Sequence, residues 1–272
     1  MSNGGQTSSV NLAAIRAYWE NASAQPVDEA GLRPTARDPF LQELVEQEME
    51  KWISPGSRVL DVGCGDGAST LRFARRAASV FGVDYVAQHV AAARHQAQAG
   101  RIPNAQFDVA DVMDLADTRA RAGELDVVVT IRCLINLATW DNQAAAIDQI
   151  AAALAPGGVY LASEGWLEGW EGLNRMRLRC GLGRIDLVKY NCLISRSTFE
   201  QSIRDTFDIV HYQSLGFYIF MSRVFQPAFV APAEPRQLHD INRIAAQLAA
   251  LGIGAGAFDE VDYAGVYVLR RK

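Results

Sequence analysis

Residues 58–67 read RVLDVGCGDG, in which a short apolar run ends in three glycines spaced two residues apart. This pattern predicts a buried strand, a tight turn and the start of a helix. Small residues in such a turn let a ligand lie against the backbone, next to the positive end of the helix. A glycine turn that merely connects two elements fits this stretch equally well, so its meaning depends on the surrounding sequence.

The chain alternates between strand and helix patterns from this turn up to residue 161. Short apolar runs are expected to be strands, and Ala-rich segments with one apolar face are expected to be the helices between them. Such alternation predicts parallel strands joined by crossover helices. The strand candidates are residues 58–62, 79–83, 105–109, 125–131 and 158–161, and later strands are expected over 208–213 and 264–270.

Two acidic residues follow the second and third predicted strands. Asp84 ends the run Phe81-Gly82-Val83-Asp84, and Asp111 comes two residues after Val109. Open α/β sheets bind ligands at the carboxyl ends of their strands, and an acid about twenty residues after a glycine turn is placed to accept hydrogen bonds from ribose hydroxyls. The turn and the two acids together favour a nucleoside-binding site.

This combination resembles the class I S-adenosylmethionine-dependent methyltransferases of the small-molecule type. The resemblance covers residues 58–163 and rests on the DxGxGxG turn, on Asp84 and Asp111, and on Ala155-Pro156-Gly157-Gly158 before the fifth strand. It implies an α/β fold with a Rossmann-like, seven-stranded, mostly parallel sheet, an antiparallel last strand and helices on both faces. Dinucleotide dehydrogenases favour GxGxxG, whereas the third glycine comes one position earlier here.

The resemblance also implies S-adenosylmethionine as the cofactor and assigns residues to its parts. Asp61 would order the turn and Asp84 would hold the ribose. Tyr85 would lie on the adenine or, alternatively, only pack on the sheet, and Asp111 would face the adenine amino group or be a solvated turn residue. The other implied contacts are Gly63, Cys64 and Gly65 at the amino-acid part, Val112 at the adenine, Arg132 and Cys133 near the methionine end, and Tyr18 in an N-terminal helix that covers the cofactor.

Methyl transfer from a sulfonium needs an in-line nucleophile more than covalent help, but an alcohol acceptor must also lose a proton. Glu164, after the fifth predicted strand, is the candidate base, and His239 could act from a helical stretch over residues 237–250. Each has a simpler explanation, as a polar edge residue and as a solvated helix residue. Candidate acceptor contacts are Asn136 after the fourth strand and Trp166, Trp170 and Arg175 in the segment that follows Glu164.

Composition excludes several other classes of function. The 272 residues carry a formal net charge of −5, which disfavours nucleic acid as a partner. No apolar stretch approaches the roughly 20 residues of a membrane helix, and the N-terminus lacks a signal-peptide pattern, so a cytoplasmic protein without a membrane partner is expected. No metal is implied, because no ligand spacing is present. His89 and His95 share a polar helix face and are expected to be exposed.

We expect an N-terminal helical cap over residues 1–57 and a methyltransferase domain over residues 58–272, with insertions at 164–196 and 214–263. The first insertion is locally basic and aromatic, which suits an anionic or sugar-like ligand but also fits a solvated helix that packs through its tryptophans. The second insertion either roofs the acceptor pocket or forms a subunit contact, which leaves a homodimer open.

The implied function is transfer of a methyl group to a small-molecule acceptor in biosynthesis. A hydroxyl of a sugar-containing or other natural-product metabolite is the leading acceptor. The alternatives are N- or C-methylation of a small metabolite, a non-catalytic S-adenosylmethionine-binding protein, and a nicotinamide-dependent oxidoreductase.

Overall fold

The computed structural model describes residues 11–23 and 37–272. The predicted N-terminal cap therefore lies partly outside the described residues, at 1–10 and 24–36. In the described chain the strands are β1 (Arg58–Val62), β2 (Ser79–Asp84), β3 (Ala105–Val109), β4 (Leu125–Ile131), β5 (Leu154–Ser163), β6 (Phe207–Gln213) and β7 (Val266–Arg271).

These strands form one seven-stranded sheet in the order β3-β2-β1-β4-β5-β7-β6. The first five strands pair with one another in parallel, and β7 runs antiparallel to both β5 and β6. The fold class predicted from the sequence is confirmed, including the antiparallel last strand. The described helices are α1 (Leu12–Ser23), α2 (Pro39–Glu50), α3 (Ala68–Phe73), α4 (Ala87–Ala99), α5 (Ala116–Ala122), α6 (Trp140–Ala153), α7 (Leu167–Arg179), α8 (Arg196–Ile203), α9 (Gly216–Phe220), α10 (Gln226–Val230) and α11 (Asp240–Ala250).

The apolar character of β4 follows from its central place in the sheet. Val127 and Val129 pack in one core layer with α2, α3 and α4, while Val128 packs in the other layer with α6 and α8. Successive strand residues point to opposite faces, so a strand covered on both sides needs an unbroken apolar run. This is the signal that marked residues 125–131 as a buried strand.

The Ala-rich segment after the glycine turn predicts a helix over residues 66–78, and the observed helix is shorter, Ala68–Phe73. Gly67 has a left-handed φ of +83°, and α3 begins only at the next residue. A Cβ on Gly67 would lie 2.6 Å from the Cβ of Ala93 in α4, so the turn also needs glycine for close packing. The turn is therefore fixed by both backbone conformation and neighbouring helices.

Helix α2 brings side chains to the carboxyl edge of the sheet. Asp38 caps it by accepting a hydrogen bond from the Leu41 N–H at 3.0 Å, and Pro39 occupies the first helical position, where its missing N–H costs nothing. Leu41, Leu44, Val45 and Met49 bury one face in the core. The first turns of α2 thereby hold Asp38 and Gln42 at the opening of the sheet.

Helix α7 of the first insertion folds against the last residues of the second insertion, just before β7. A Cβ on Gly169 of α7 would lie 1.9 Å from the Asp262 carbonyl oxygen, and one on Gly172 would lie 1.6 Å from the Glu260 carbonyl oxygen. Helix α7 therefore lies flush against this backbone. In the second insertion, α9 continues through a π-helical turn, Met221–Phe225, into α10.

Candidate active site

The carboxyl ends of the parallel strands open into a cavity of about 730 Å³. Its walls also include parts of α1, α2 and both insertions. The sequence-predicted residues that line it are Asp61, Gly63, Cys64, Gly65, Asp84, Tyr85, Asp111, Val112, Arg132, Cys133, Asn136, Glu164 and Trp170. The structure thus brings most of the predicted residues together around one space.

The glycine turn is held by backbone hydrogen bonds to the neighbouring strand. The N–H groups of Gly63 and Cys64 donate to the Val83 carbonyl oxygen at 2.8 and 2.9 Å. Gly63 has a φ of +74°, and a Cβ there would lie 2.7 Å from the Cys133 Sγ. The turn therefore packs directly against the start of the loop that follows β4, here called the β4 loop, and there is no room for a side chain at Gly63.

Asp84 holds the turn through both of its carboxylate oxygens. Oδ2 accepts from the Gly65 N–H at 3.0 Å, and Oδ1 accepts from the Val86 N–H at 2.8 Å. Each carboxylate oxygen can accept a second hydrogen bond. Asp84 is thus fixed in orientation and still has acceptor capacity toward the cavity.

The expectation that His89 is exposed is wrong. Its residue surface is only 7% accessible, and its Nδ1 lies 3.6 Å from the Asp84 Oδ1. His89 occupies the first turn of α4, beneath Trp19 of α1, whose ring centroid is 6.4 Å away. His89 does lie on the polar face of α4, but Trp19 of α1 and Asp84 at the end of β2 cover this part of the face.

Asp61 lies behind the turn rather than at its surface. Thr70 in α3 donates a hydrogen bond from Oγ1 to the Asp61 Oδ2 at 2.5 Å. Burial raises the pKa of Asp61 to about 7, against the lowering effect of this hydrogen bond. The side chain ties β1 to α3, as expected for a residue that orders the turn.

Tyr85, Asp111 and Val112 lie at the end of the cavity next to β2 and β3. The Tyr85 hydroxyl is buried without a hydrogen-bond partner among the described residues, and the Arg16 guanidinium lies 5.1 Å from its ring centroid. Asp111 accepts from the Met113 N–H at 3.0 Å, which makes a local turn. Val112 is buried. These residues form a polar-edged slot of a kind that suits a flat base.

Glu164, the first residue after β5, is a buried carboxyl group beside the loop that follows β4. It is 1% exposed, and its two oxygens accept from the N–H groups of Cys133 and Ile135, both at 3.3 Å. Burial raises the pKa of Glu164 to about 7, although hydrogen bonds from the loop lower it. A carboxyl group with a pKa near neutrality has the proton affinity that general-base catalysis requires.

Arg132 connects the β4 loop to α2. It has a left-handed φ of +54°, and its Nη2 donates to the Gln42 Oε1 at 2.7 Å. Gln42 in turn donates through Nε2 to Glu46 at 2.8 Å and to Ser69 at 3.0 Å. This chain of side chains forms a polar floor between the glycine turn and the far half of the cavity.

Asn136 holds α1 over the cavity. Its Oδ1 accepts from the Trp19 Nε1 at 3.1 Å, and its Nδ2 donates to the Arg132 carbonyl oxygen at 2.7 Å. Trp19 lines the cavity, whereas its neighbour Tyr18 does not. The Tyr18 ring instead packs on Tyr190, with centroids 4.0 Å apart.

Three further predicted site residues do not reach the cavity. Trp166 is fully buried and donates through Nε1 to the Gly265 carbonyl oxygen at 2.8 Å, so it serves packing. Arg175 is exposed beside Glu171, with which it forms an ion pair at 3.7 Å. His239 caps α11, where its Nδ1 accepts from the Ile241 N–H at 3.1 Å, so the predicted helix over 237–250 begins only at Asp240.

The cavity also has lining residues that the sequence did not single out as ligand contacts. They include Trp19 in α1, Asp38 and Gln42 at the start of α2, Arg223 in the π-helical turn and Tyr263 before β7. Trp19 stood next to a predicted contact, so only the helical rotation was missed. The others belong to no recognisable motif, and only the tertiary fold brings them to the site.

Neither a metal cluster nor a membrane-spanning element is present in the part of the chain that the structure describes. No group of three or more His, Cys, Asp or Glu side chains there is arranged to hold a metal ion. Within the same residues, no helix combines the length and the apolar character needed to cross a bilayer.

Comparison with known proteins identifies the domain around this cavity. A family model described as a methyltransferase domain matches residues 59–158. The ubiquinone biosynthesis O-methyltransferase of Psychrobacter cryohalolentis is 38% identical over 109 residues, which cover 40% of this chain and 40% of that protein. The similarity to this curated relative thus spans well under half of its length.

Solved structures share the fold over a longer range. The magnesium protoporphyrin IX methyltransferase ChlM from Synechocystis PCC 6803, with bound SAM, has a TM-score of 0.56 at 14% identity and covers 100% of both chains. The N-methyltransferase NodS from Bradyrhizobium japonicum WM9, in complex with S-adenosyl-L-homocysteine, has a TM-score of 0.55 at 15% identity over 94% of this chain and 98% of that chain. The chain therefore contains a methyltransferase domain and has the fold of the class I S-adenosylmethionine-dependent methyltransferases, which confirms the resemblance found in the sequence.

Proposed function

We propose that this protein binds S-adenosylmethionine at the glycine turn and transfers its methyl group to a hydroxyl group of a small-molecule acceptor. The observation that carries the proposal is the convergence of the glycine turn, Asp84 and the buried carboxyl group of Glu164 on one cavity at the carboxyl edge of the sheet. The methyltransferase domain over residues 59–158 supports it.

The turn side of the cavity fits this cofactor. The glycine turn borders the cavity at Gly63 and Gly65, which have no side chains that would keep a ligand from the backbone. Tyr85 Oη and His89 Nδ1 are buried polar atoms that have no hydrogen-bond partner among the described residues. Buried polar groups normally have partners, and a polar ligand in this half of the cavity would supply them.

Asp84 is the residue that we assign to the ribose. Its orientation is fixed by the N–H groups of Gly65 and Val86, and its further acceptor capacity suits two hydroxyl groups. Tyr85, Asp111 and Val112 would enclose the adenine, and Arg132 and Cys133 would lie at the methionine end. We assign the cofactor-covering role to Trp19 rather than to Tyr18, because Trp19 lines the cavity and Tyr18 packs on Tyr190.

When bound, the cofactor supplies a methyl group on a sulfonium, which is already activated toward nucleophiles. The protein then needs to position the acceptor and exclude water. Glu164 borders the cavity beside Cys133, and a carboxylate there can accept the proton of an acceptor hydroxyl. This proton acceptor favours a hydroxyl acceptor over an amine, which requires less help from a base.

The expectation of a sugar-containing acceptor has a separate basis from that of a hydroxyl acceptor. The expectation rested on the basic, aromatic segment after β5, and two of its residues, Trp166 and Arg175, lie away from the cavity. Trp170 does line the cavity and is retained as an acceptor contact, together with the loop that Asn136 stabilises. A small natural-product metabolite stays the proposed acceptor class.

The test is an acceptor-dependent methyl-transfer assay with S-adenosylmethionine labelled in its methyl group and fractionated small metabolites as acceptors. We expect label in a small-molecule product, with Glu164→Gln lowering kcat about 100-fold or more while leaving the affinity for S-adenosylhomocysteine unchanged. Glu124→Gln is the matched control, since Glu124 is exposed at the opposite end of β4.

The outcomes separate the alternatives. Full turnover by Glu164→Gln would remove Glu164 as the base and favour an N- or C-methyl acceptor. Tight cofactor binding without turnover on any fraction would favour a non-catalytic S-adenosylmethionine-binding protein.

A further inference from the structure

The half of the cavity away from the glycine turn has a distinct set of walls. They are formed by the start of α2, by the π-helical turn Met221–Phe225, by α7 and by the segment before β7. The side chains that these elements contribute include Asp38, Trp170, Arg223 and Tyr263. Glu164, the proposed base, borders the same cavity, so the chemistry of this region bears on what the acceptor is.

Tyr263 is held in place by its backbone. Trp166 N–H donates to the Tyr263 carbonyl oxygen at 2.9 Å, and Ser163 Oγ donates to the next carbonyl oxygen, that of Ala264, at 2.9 Å. The glycines of α7 lie flush against the preceding residues. The Tyr263 ring meets Trp170 edge to face, with centroids 5.3 Å apart and an interplanar angle of 88°. These two rings form a rigid aromatic wall.

Arg223 is a buried cation at the same wall. Its Nη2 pairs with the Asp38 Oδ2 at 2.5 Å, and the side chains of the pair are 15% and 9% exposed. Asp38 also accepts from the Tyr218 hydroxyl at 2.8 Å and from the Leu41 N–H at 3.0 Å. The Asp38 carboxylate therefore accepts three hydrogen bonds, from Arg223, Tyr218 and Leu41.

The guanidinium of Arg223 has donor capacity left. Besides Asp38 it donates to the Gln237 Oε1 at 3.3 Å, so within the described residues two of its five N–H donors are engaged. The side chains of Tyr263, Asp38 and Tyr218 lie close to it. Arg177 donates to the Arg223 carbonyl oxygen, which brings a second guanidinium close. Single π-helical turns inside helices often mark functional sites.

The charges of the cavity are separated between its two halves. The carboxylates Asp61, Asp84 and Asp111 border the turn side, where the ribose and adenine would bind. On the far side, Asp38 is neutralised by Arg223, and Glu46 is paired with Arg72 at 3.3 Å. The far half thus offers the Arg223 guanidinium next to an aromatic wall. Among the described residues that line it, Asp38 and Glu46 are each paired with an arginine, and Glu164 is the carboxyl group without such a pair.

We propose that this half of the cavity binds an acceptor that carries an anionic group, a carboxylate or a phosphate, on a flat apolar ring. Arg223 and the Tyr263 hydroxyl bind the anion, and Trp170 contacts the ring. Guanidinium groups form strong charge-assisted hydrogen bonds with both anions. The inference rests on the proposed function, because it names the acceptor class of the same site.

The test is a calorimetric titration of the full chain saturated with S-adenosylhomocysteine. The probes are 4-hydroxybenzoate against its neutral analogue 4-hydroxybenzamide, and phenyl phosphate against phenol. We expect at least one acid to bind about tenfold or more tightly than its neutral analogue, since a hydrogen-bonded charge in a partly dry site gives effects of that order. The arm with the larger preference distinguishes carboxylate from phosphate.

Two variants locate the preference. Tyr263→Phe keeps the ring contact with Trp170 and is expected to lower the affinity for the acid several-fold, with no change for the neutral analogue. The double variant Asp38→Asn, Arg223→Gln removes the cation without leaving a buried carboxylate unpaired, and it is expected to abolish the preference. Arg179→Gln, in the last turn of α7, is the matched control for loss of an arginine and is expected to retain it.

The outcomes are distinct from those of the proposed function. Saturable binding of S-adenosylhomocysteine with no preference for either acid overturns the anion site but leaves the cofactor site standing. A preference that survives in the double variant, with wild-type unfolding and cofactor affinity, also overturns it. Absence of S-adenosylhomocysteine binding overturns the proposed function instead, and the acid titrations on the same protein then still decide whether the anion site exists.

Discussion

Replacing Glu164 by Gln is expected to change how the stability of the protein depends on pH. Glu164 is 1% exposed, and burial raises its pKa from 4.5 to about 7. At about 1.4 kcal/mol per pKa unit, ionising this buried group costs the folded state about 3 kcal/mol relative to the unfolded chain. Gln has nearly the same shape and no charge, so the variant avoids this cost.

The sign follows from proton binding. Between pH 4.5 and about 7 the folded state holds the Glu164 proton while the unfolded state has lost it, so the stability that this group contributes is full below pH 4.5 and is lost as the pH rises through 7. The free energy of unfolding of Glu164→Gln minus that of the wild type is therefore expected to rise by about 3 kcal/mol between pH 4.5 and pH 8. Asp61 also has a raised pKa, but its contribution is common to both proteins and cancels.

The measurement is urea unfolding of both proteins, followed by circular dichroism at intervals across this pH range. Glu124→Gln serves as the control, because the Glu124 side chain is 78% exposed, and its difference from wild type is expected to stay within about 0.5 kcal/mol at every pH. A Glu164→Gln difference that is independent of pH would refute the raised pKa and, with it, the argument for Glu164 as a base.

Two further substitutions test the turn and its cover. Gly63→Ala is expected to destabilise the protein by about 3 kcal/mol, because φ is +74° and the new Cβ would lie 2.7 Å from the Cys133 Sγ. Gly56 has no neighbour within 4 Å, so Gly56→Ala should lose far less stability in urea unfolding. Equal losses in the two variants would contradict the close approach of Gly63 to Cys133. Trp19→Phe removes the hydrogen bond to Asn136 but keeps an aromatic ring, so the amides of α1 are expected to exchange about fivefold faster in hydrogen-exchange mass spectrometry. Unchanged exchange would show that Asn136 does not hold α1.

The sheet and the cofactor half of the site could be predicted because their signals are local. The run Val127-Val128-Val129 indicates a strand that is buried on both faces of the sheet. Asp84 follows the glycine turn at the distance set by one crossover helix. Since parallel strands place their carboxyl ends at one edge, residues after successive strands had to meet. This geometry is independent of how the insertions fold.

The position of α1 over the cavity, and the half of the cavity away from the glycine turn, depend on packing that local sequence patterns do not encode. Neighbouring helix residues point about 100° apart, which is why Trp19 and not Tyr18 faces the cavity. His89 has a polar helix face that became buried beneath α1. His239 is the N-cap of α11, and its Nδ1 accepts a hydrogen bond from the Ile241 N–H instead of binding a ligand.

The wall of the cavity away from the glycine turn also could not be predicted from local sequence patterns. Arg223 and Tyr263 lie in an insertion without recognisable motifs, and their positions are set by the close approach of α7, through Gly169 and Gly172, to the segment before β7. The sequence indicated anion binding in this region but placed it on the exposed arginines of α7. The structure brings a different, buried arginine to the cavity.

The central claim is that the glycine turn binds the sulfur cofactor, and calorimetric titration with S-adenosylmethionine, S-adenosylhomocysteine and NADH in parallel tests it most directly. The account predicts saturable one-site binding of both sulfur ligands, no binding of NADH, and a loss of about tenfold or more in affinity for Asp84→Asn. Binding of NADH alone, or unchanged affinity in Asp84→Asn, would contradict it.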